Sequence, residues 1–262
     1  MLEVVTVVKN DLPGLMETYM SLLAQSDNDF TWLIIDGSHE SFSAHERFKS
    51  ASFEVRVVNE PPKGIYEAMN AGMMHSNQDW IWFVNAGDVL FDSRTIEKVS
   101  KTISDNSEYA AFGFSVRHLD SSGNLWHTSL PRLRYLVEKN YTLAEINHQG
   151  FIVSTNVMKS AGGFDTNLRY AADSKFMDLI VNTQLILLSD VCVVNFIIGG
   201  ASSQNISQTL EEIDLHRWHS GAHKLHSRRR NLLILKTIIR LKIIERRGLL
   251  LRIAIYLRKF VS

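Results

Sequence analysis

The sequence predicts an α/β fold: a mostly parallel sheet with helices on both faces, a small antiparallel section after it, and a C-terminal amphipathic helical tail. Three observations carry this. Strand-like and helix-like segments alternate over the first hundred residues, which predicts a parallel sheet covered on both sides. The alternation gives way to turn-rich strand pairs after about residue 108. From residue 217 onward the chain turns strongly basic while keeping a helical apolar period.

The elements follow in order. Residues 2–8 are a β-branched run. In 12–25 the apolar side chains Leu15, Met16, Tyr19, Leu22 and Leu23 recur at helical spacing. A second strand, 30–35, ends at Asp36-Gly37-Ser38; 44–50 is a short helix, and 53–58 a third strand. Residues 65–75 form a helix, and 80–84 a continuously apolar strand of the kind buried on both faces. Helix 93–104 closes this half. Segments 109–119 and 124–128 flank Asp120-Ser121-Ser122-Gly123 and read as an antiparallel pair. A short strand at 151–154, a helix at 155–161 broken by Gly162-Gly163, a helix at 173–181 and one or two strands in 185–194 complete the pattern.

Composition narrows the functional classes. At 262 residues with 45% hydrophobic content the chain is globular, and its only cysteine, Cys192, rules out an internal disulfide and fits a reducing compartment. The start of the chain runs straight into a strand pattern, with no cleavable leader expected. No apolar run approaches the roughly 18–20 residues needed to span a bilayer. The net charge of zero conceals an asymmetry. Residues 1–216 hold 15 Lys+Arg against 27 Asp+Glu, a balance of −12; residues 217–262 hold 13 against one, Glu245, a balance of +12.

Four polar segments stand at predicted strand ends: Lys9-Asn10-Asp11, Asp36-Gly37-Ser38, Glu60-Pro61-Pro62-Lys63-Gly64 and Asn85-Ala86-Gly87-Asp88. In a parallel sheet these ends share one edge, where open α/β sheets bind ligands. Each alone is ordinary turn chemistry; together they predict a site. A helix starting at Gly64-Ile65 would offer unpaired N–H groups to an anion, with Lys63 as a compact charge beside it. Lys63 reads equally well as a solvated loop lysine.

The segments Ile34-Ile35-Asp36-Gly37-Ser38, Lys63-Gly64-Ile65-Tyr66-Glu67-Ala68-Met69-Asn70-Ala71-Gly72 and Phe83-Val84-Asn85-Ala86-Gly87-Asp88 together resemble a family 2 glycosyltransferase of the Rossmann-like GT-A fold. The likeness extends to the bacterial enzymes of exopolysaccharide assembly, including the colanic acid type. Asn147-His148-Gln149-Gly150-Phe151, Gly163-Phe164-Asp165, Tyr170-Ala171-Ala172-Asp173 and Gly199-Gly200-Ala201-Ser202 resemble the acceptor half of these enzymes, and the likeness covers roughly residues 1–205. It implies one domain over 1–216, with a nucleotide-sugar half (1–108) and an acceptor half (109–216). Thr6, Val8 and Asp36 would line the nucleoside pocket. Lys63, Gly64, Tyr66, Asn70 and Asn85 would sit beside the nucleotide sugar. Asp88 matches the last acid of a metal-binding Asp-x-Asp, His148 and Gln149 lie toward the diphosphate or acceptor with His148 a further metal ligand, and Asp173 matches the catalytic base.

The chemistry calls for such groups. An acceptor hydroxyl must give up its proton to a carboxylate within reach, and a departing diphosphate gains charge that Mg2+ or Mn2+ neutralises. Asp173 has the competing reading of a helix N-cap. The usual paired acids stand here as Ala86-Gly87-Asp88, so one carboxylate is missing, and His39-Glu40 replaces the acid often found after Asp-Gly-Ser.

The tail, 217–262, places Arg229, Lys236, Arg240 and Arg247 on one stripe and Ile234, Leu235, Ile238 and Leu241 opposite, and 249–260 resumes the mixture. It reads as a helix in an anionic membrane interface; the competing reading packs it on the catalytic domain or a partner subunit. Nucleic acid is not expected as a partner, because the tail has few aromatics and no reader motif. The expectation is therefore an inverting transferase moving a sugar from a nucleoside-diphosphate donor to a lipid-linked glycan in surface polysaccharide synthesis, cytoplasmic and peripheral on the inner membrane face. The alternative is a non-catalytic nucleotide-sugar-binding or scaffold protein of the assembly complex.

Overall fold

The structure is a computed structural model that describes residues 1–38, 47–48, 50–59, 64–120, 122–137, 140–197 and 205–219. Most of the helix expected at 44–50 (44–46 and 49), Lys63, His39-Glu40, the Gly199–Ser202 motif and tail residues 220–262 lie outside them.

The first half forms as its patterning predicts. Strands β1 (Leu2–Val8), β2 (Phe30–Asp36) and β3 (Glu54–Asn59) pair in parallel, and β4 (Trp80–Phe83) pairs in parallel with the other side of β1. Between them run α1 (Leu12–Leu23) and α2 (Ile65–His75). Asp11 caps α1 by accepting from Gly14 N at 3.0 Å, and Pro13 sits where a missing N–H costs nothing. β1 and β2 are buried along their whole length, which explains why apolar residues dominate both. Side-chain alternation then splits the core. Trp32, Ile34 and Trp82 face α1 and α3 (Thr95–Ser104), while Leu33, Ile35, Ile81 and Phe83 face α2 and later helices. Gly72 lets α2 close on this second face, because a Cβ there would lie 2.6 Å from Val5 Cγ1.

Beyond β4 the sheet is mixed. The short β5 (Val89–Leu90) follows the Asn85–Asp88 turn. The expected antiparallel pair is β6 (Ala111–Leu119) with β7 (Leu125–Ser129). A separate hairpin, β8 (Arg132–Leu136) with β9 (Tyr141–Glu145), was not anticipated, since β8 is exposed and carries no buried pattern. β10 (Phe151–Ser154) inserts antiparallel between β4 and β6. α4 (Thr155–Ser160) and α5 (Ala172–Thr183) follow. The segment expected as one or two strands is one, β11 (Ile186–Ile197), parallel to β6 with register shifts around Cys192. The main sheet runs β3-β2-β1-β4-β10-β6-β11-β5, with β7 beside β6. α6 (Ile206–His219), absent from the sequence reading, completes a compact unit ending at His219. Arg217, grouped with the tail on charge alone, thus lies inside this unit. Among the described residues no helix is long and apolar enough to cross a membrane.

Candidate active site

The direction switch between β4 and β10 builds the site. Because β10 runs against β4, with Ile152 opposite Trp82, the residues entering β10 come to the edge that β4 leaves. His148 and Gln149, on a 3₁₀ turn (His148–Gly150), therefore meet Asn85–Asp88. The Trp82 indole fixes this turn by donating to Gln149 O at 2.7 Å. The other side of the Asn85–Asp88 turn is tied to α1: Gly87 N donates to Gly14 O at 2.9 Å and to Thr18 Oγ1 at 3.1 Å, and Thr18 donates to Asp88 O at 2.9 Å. Gly87 has φ +90°, a backbone that a side chain would strain, while Ala86 lines the cleft without a carboxylate.

A cleft of about 490 Å³ opens at this edge, lined among others by Asp11, Glu17, Tyr66, Asn85, Asp88, His148, Gln149, Arg169 and Asp173. Its centre is a charged chain. His148 Nδ1 lies 3.2 Å from Asp173 Oδ2, and the Tyr66 hydroxyl donates to Asp173 Oδ1 at 3.0 Å. Burial opposes ionisation of Asp173, but the His148 hydrogen bond and charge, the Ser174 N–H and the Tyr66 hydroxyl outweigh it and hold the carboxyl below its ordinary range. Burial likewise opposes charge on His148; the hydrogen bond and charge of Asp173 and the charge of Asp88 win and raise the imidazole. Burial, then the Asp173 charge, pushes the Tyr66 hydroxyl far up, so it acts as a donor. His148 and Asp173 keep 26% and 21% side-chain exposure, enough to be reached from the cleft.

Asp88 is more deeply buried. Desolvation pushes its carboxyl up to about 6 against the opposing His148 charge, the Asn85 N–H and the Gln149 side chain. Asn85 Nδ2 lies 3.3 Å from His148 Nε2, while Asn85 Oδ1 has no partner. Exchanging the amide oxygen and nitrogen would let a protonated imidazole donate to that oxygen.

Of the residues expected from sequence, Tyr66, Asn85, Asp88, His148, Gln149 and Asp173 line this one cleft. Asp173 is not an N-cap: α5 begins at Ala172 and its cap position is Ala171. Five others are placed elsewhere. Thr6 is fully buried, donating to Val84 O at 2.7 Å and accepting from the Trp32 indole at 2.8 Å, so its hydroxyl serves the core instead of a nucleoside. Val8 packs in the core, and Asp36 caps the end of β2 by accepting from Ser38 N at 2.9 Å. Asn70 clamps Phe164 through both backbone groups at 2.8 Å, a structural use. Gly64 is the cap residue of α2 without lining the cleft, and Glu67 lies in that helix's first turn. Arg169 and Tyr170 were missed as cleft residues. Tyr170 stands in a quoted motif, but nothing local marks Arg169.

The donor set bears on a metal. Among the described residues no three His, Cys, Asp or Glu side chains converge to hold an ion alone. Mg2+ and Mn2+ at phosphate-transfer sites commonly take one or two carboxylates and complete their shell with substrate oxygens. Asp88 supplies one such carboxylate. The cleft also presents Asp11, Glu17, Asp88 and Asp173 against Arg169 and His148. An added cation would offset this acidity for an anionic ligand, so the residues fit one shared with substrate.

The sequence model of Glycosyl transferase family 2 matches residues 3–165. An uncharacterized glycosyltransferase of Mycobacterium tuberculosis is 26% identical over 178 residues, 66% of each chain. A PGL/p-HBAD biosynthesis glycosyltransferase of Mycobacterium bovis is 23% identical over 60% of each. The chain thus spans under two thirds of the length of the curated relatives it matches. Among solved structures, S. aureus TarS 1–349 in complex with UDP-GlcNAc superposes with TM-score 0.61 at 17% identity, over 82% of this chain and 65% of that one. A mannosyltransferase from Pyrobaculum calidifontis in complex with GDP-Man and Mn2+ gives 0.61 at 13%, over 85% and 64%. At these identities the likeness speaks to the GT-A-like fold.

Proposed function

Because this chain belongs to glycosyltransferase family 2, we propose that it is an inverting glycosyltransferase that moves a sugar from a nucleoside-diphosphate donor to a lipid-linked glycan acceptor of a surface polysaccharide. The observation that carries this reading is the joining of Asp173, His148, Tyr66 and Asp88 in one cleft at the sheet edge. The acceptor oxygen attacks the anomeric carbon opposite the leaving group while Asp173 takes the hydroxyl proton. The bond from the anomeric carbon to the diphosphate oxygen breaks, and its electron pair leaves on that oxygen. Tyr66 holds one Asp173 oxygen by its hydroxyl, which aims the other toward the acceptor side. His148, whose protonation the Asp173 and Asp88 carboxylates favour, presents its imidazole to the same space. An entering acceptor must loosen the His148–Asp173 pair, since the pair lowers the basicity of Asp173. Asp88 would hold a divalent cation together with the diphosphate; when bound, such an ion neutralises the leaving group's charge.

The basic 217–262 segment supports a peripheral position on the cytoplasmic face of an anionic membrane, where a lipid-linked acceptor resides. The test is nucleotide release from a panel of UDP- and GDP-sugars. Asp173→Asn should lower turnover about 10²–10⁴-fold, and Asp88→Ala should lower it as well. Full turnover in both variants rejects the assignment.

A further inference from the structure

We propose that Glu212, on α6, is a positioning residue for this reaction, holding the backbone that carries Arg169 into the cleft and aims Asp173; this rests on the glycosyl-transfer reading. Glu212 lies about forty residues after the loop it binds. Its Oε1 accepts from Arg169 N at 2.9 Å, and its Oε2 accepts from Tyr170 N at 2.7 Å and Ala171 N at 3.0 Å. Three successive N–H groups thus converge on one carboxylate. They lead directly into α5, whose N-terminal cap residue is Ala171 and whose second residue is Asp173.

Among the described residues no other group accepts from these three N–H groups. Ala171 offers no side-chain cap, and a helix start without one leaves donors that need an acceptor. A carboxylate at a helix N-terminus is also favoured by the helix dipole. The loop is in turn functional. Arg169 and Tyr170 both line the cleft, and the guanidinium stacks over the Tyr170 ring at 5.4 Å. Among the described cleft residues Arg169 is the one Lys or Arg, so the pinned loop sets the fixed positive charge that meets a diphosphate.

The pin is itself anchored. Five residues along α6, Arg217 Nε donates at 2.9 Å to Asp178 Oδ2, a fully buried carboxylate on α5 whose other oxygen accepts from Ala144 N at 2.8 Å. α6 is therefore clamped to α5 at one point and to the loop before α5 at another. Misplacement of a reacting group by about 1 Å costs on the order of a hundredfold in rate, which is the scale on which such a clamp acts.

The experiment uses the full chain and whichever member of the panel of UDP- and GDP-sugars the wild type turns over. Glu212→Gln keeps the shape but turns an amide NH2 toward backbone donors. It should lower kcat at least tenfold with donor KM changed less than threefold, and speed amide hydrogen exchange at 169–171 at least tenfold. Glu211→Gln, an exposed neighbour on the same helix, should change neither. If Glu212→Gln does not fold, Glu212→Asp, which keeps the charge and shortens the reach, is judged by the same kcat and exchange criteria. Unchanged kcat, or unchanged exchange, in an active protein overturns the positioning role alone. A wild type that releases nucleotide from no member of that panel rejects the transfer reading, and the positioning role with it.

Discussion

Glu3, at the start of β1, and Asp88, just past β4, are buried carboxylates at opposite edges of one sheet, and they are treated differently. Glu3 is saturated. Its Oε1 accepts from Arg56 Nη1 at 3.0 Å and its Oε2 from Asn77 N at 3.1 Å, while Arg56 also donates to Asn77 Oδ1 and His75 O. Asp88 has the Asn85 N–H and the Gln149 side chain but, among the described residues, no Lys or Arg ion pair, and its carboxyl is pushed up to about 6. The first is a brace that ties β1, β3 and the end of α2 together. The second is a charge held at a cost, as expected of a group waiting for a ligand.

The comparison can be broken in three ways. Arg56→Met has the largest expected effect: it leaves Glu3 charged and unpaired, and should cost roughly 3–5 kcal/mol in urea unfolding while kcat of the surviving folded fraction is retained. A small loss would mean that Glu3 is not the brace described. Asp88→Asn should act in the opposite direction. A carboxyl raised from 3.8 to about 6 on folding contributes stability present below about pH 4 and lost as pH rises through 6. Removing the charge should therefore stabilise the chain by up to about 3 kcal/mol at pH 7.5 in EDTA, with no gain at pH 3.5, while nucleotide-sugar turnover falls. Equal unfolding curves for wild type and variant at pH 7.5 would remove the distinction between the two acids. Thr6→Val is the smallest, about 1–3 kcal/mol, because the buried Trp32 indole loses its acceptor. Donor KM should stay unchanged; a raised KM would return Thr6 to the nucleoside pocket.

The parallel half of the fold was legible because its signals are local. Runs such as Trp32–Ile35 and Trp80–Val84 are apolar without a break, and α2 carries its own period. β8 and α6 were not legible. β8 exposes most of its side chains, and α6 mixes Glu211, Glu212 and Asp214 with scattered apolar residues. Its recorded ties, through Glu212 and Arg217, are to residues roughly forty positions away.

The sequence by itself determined the fold class, the strand ends that form the site edge, and the residue types available for acid–base chemistry. Apolar periodicity and turn chemistry are written within a few neighbouring positions. Only the tertiary structure decided that Thr6 and Asn70 spend their polar atoms on the core and a loop, and that Tyr66 and His148 close on Asp173 from 107 and 25 positions away. Which side chain meets which depends on the reversal of β10 against β4, a long-range pairing that neither segment encodes alone.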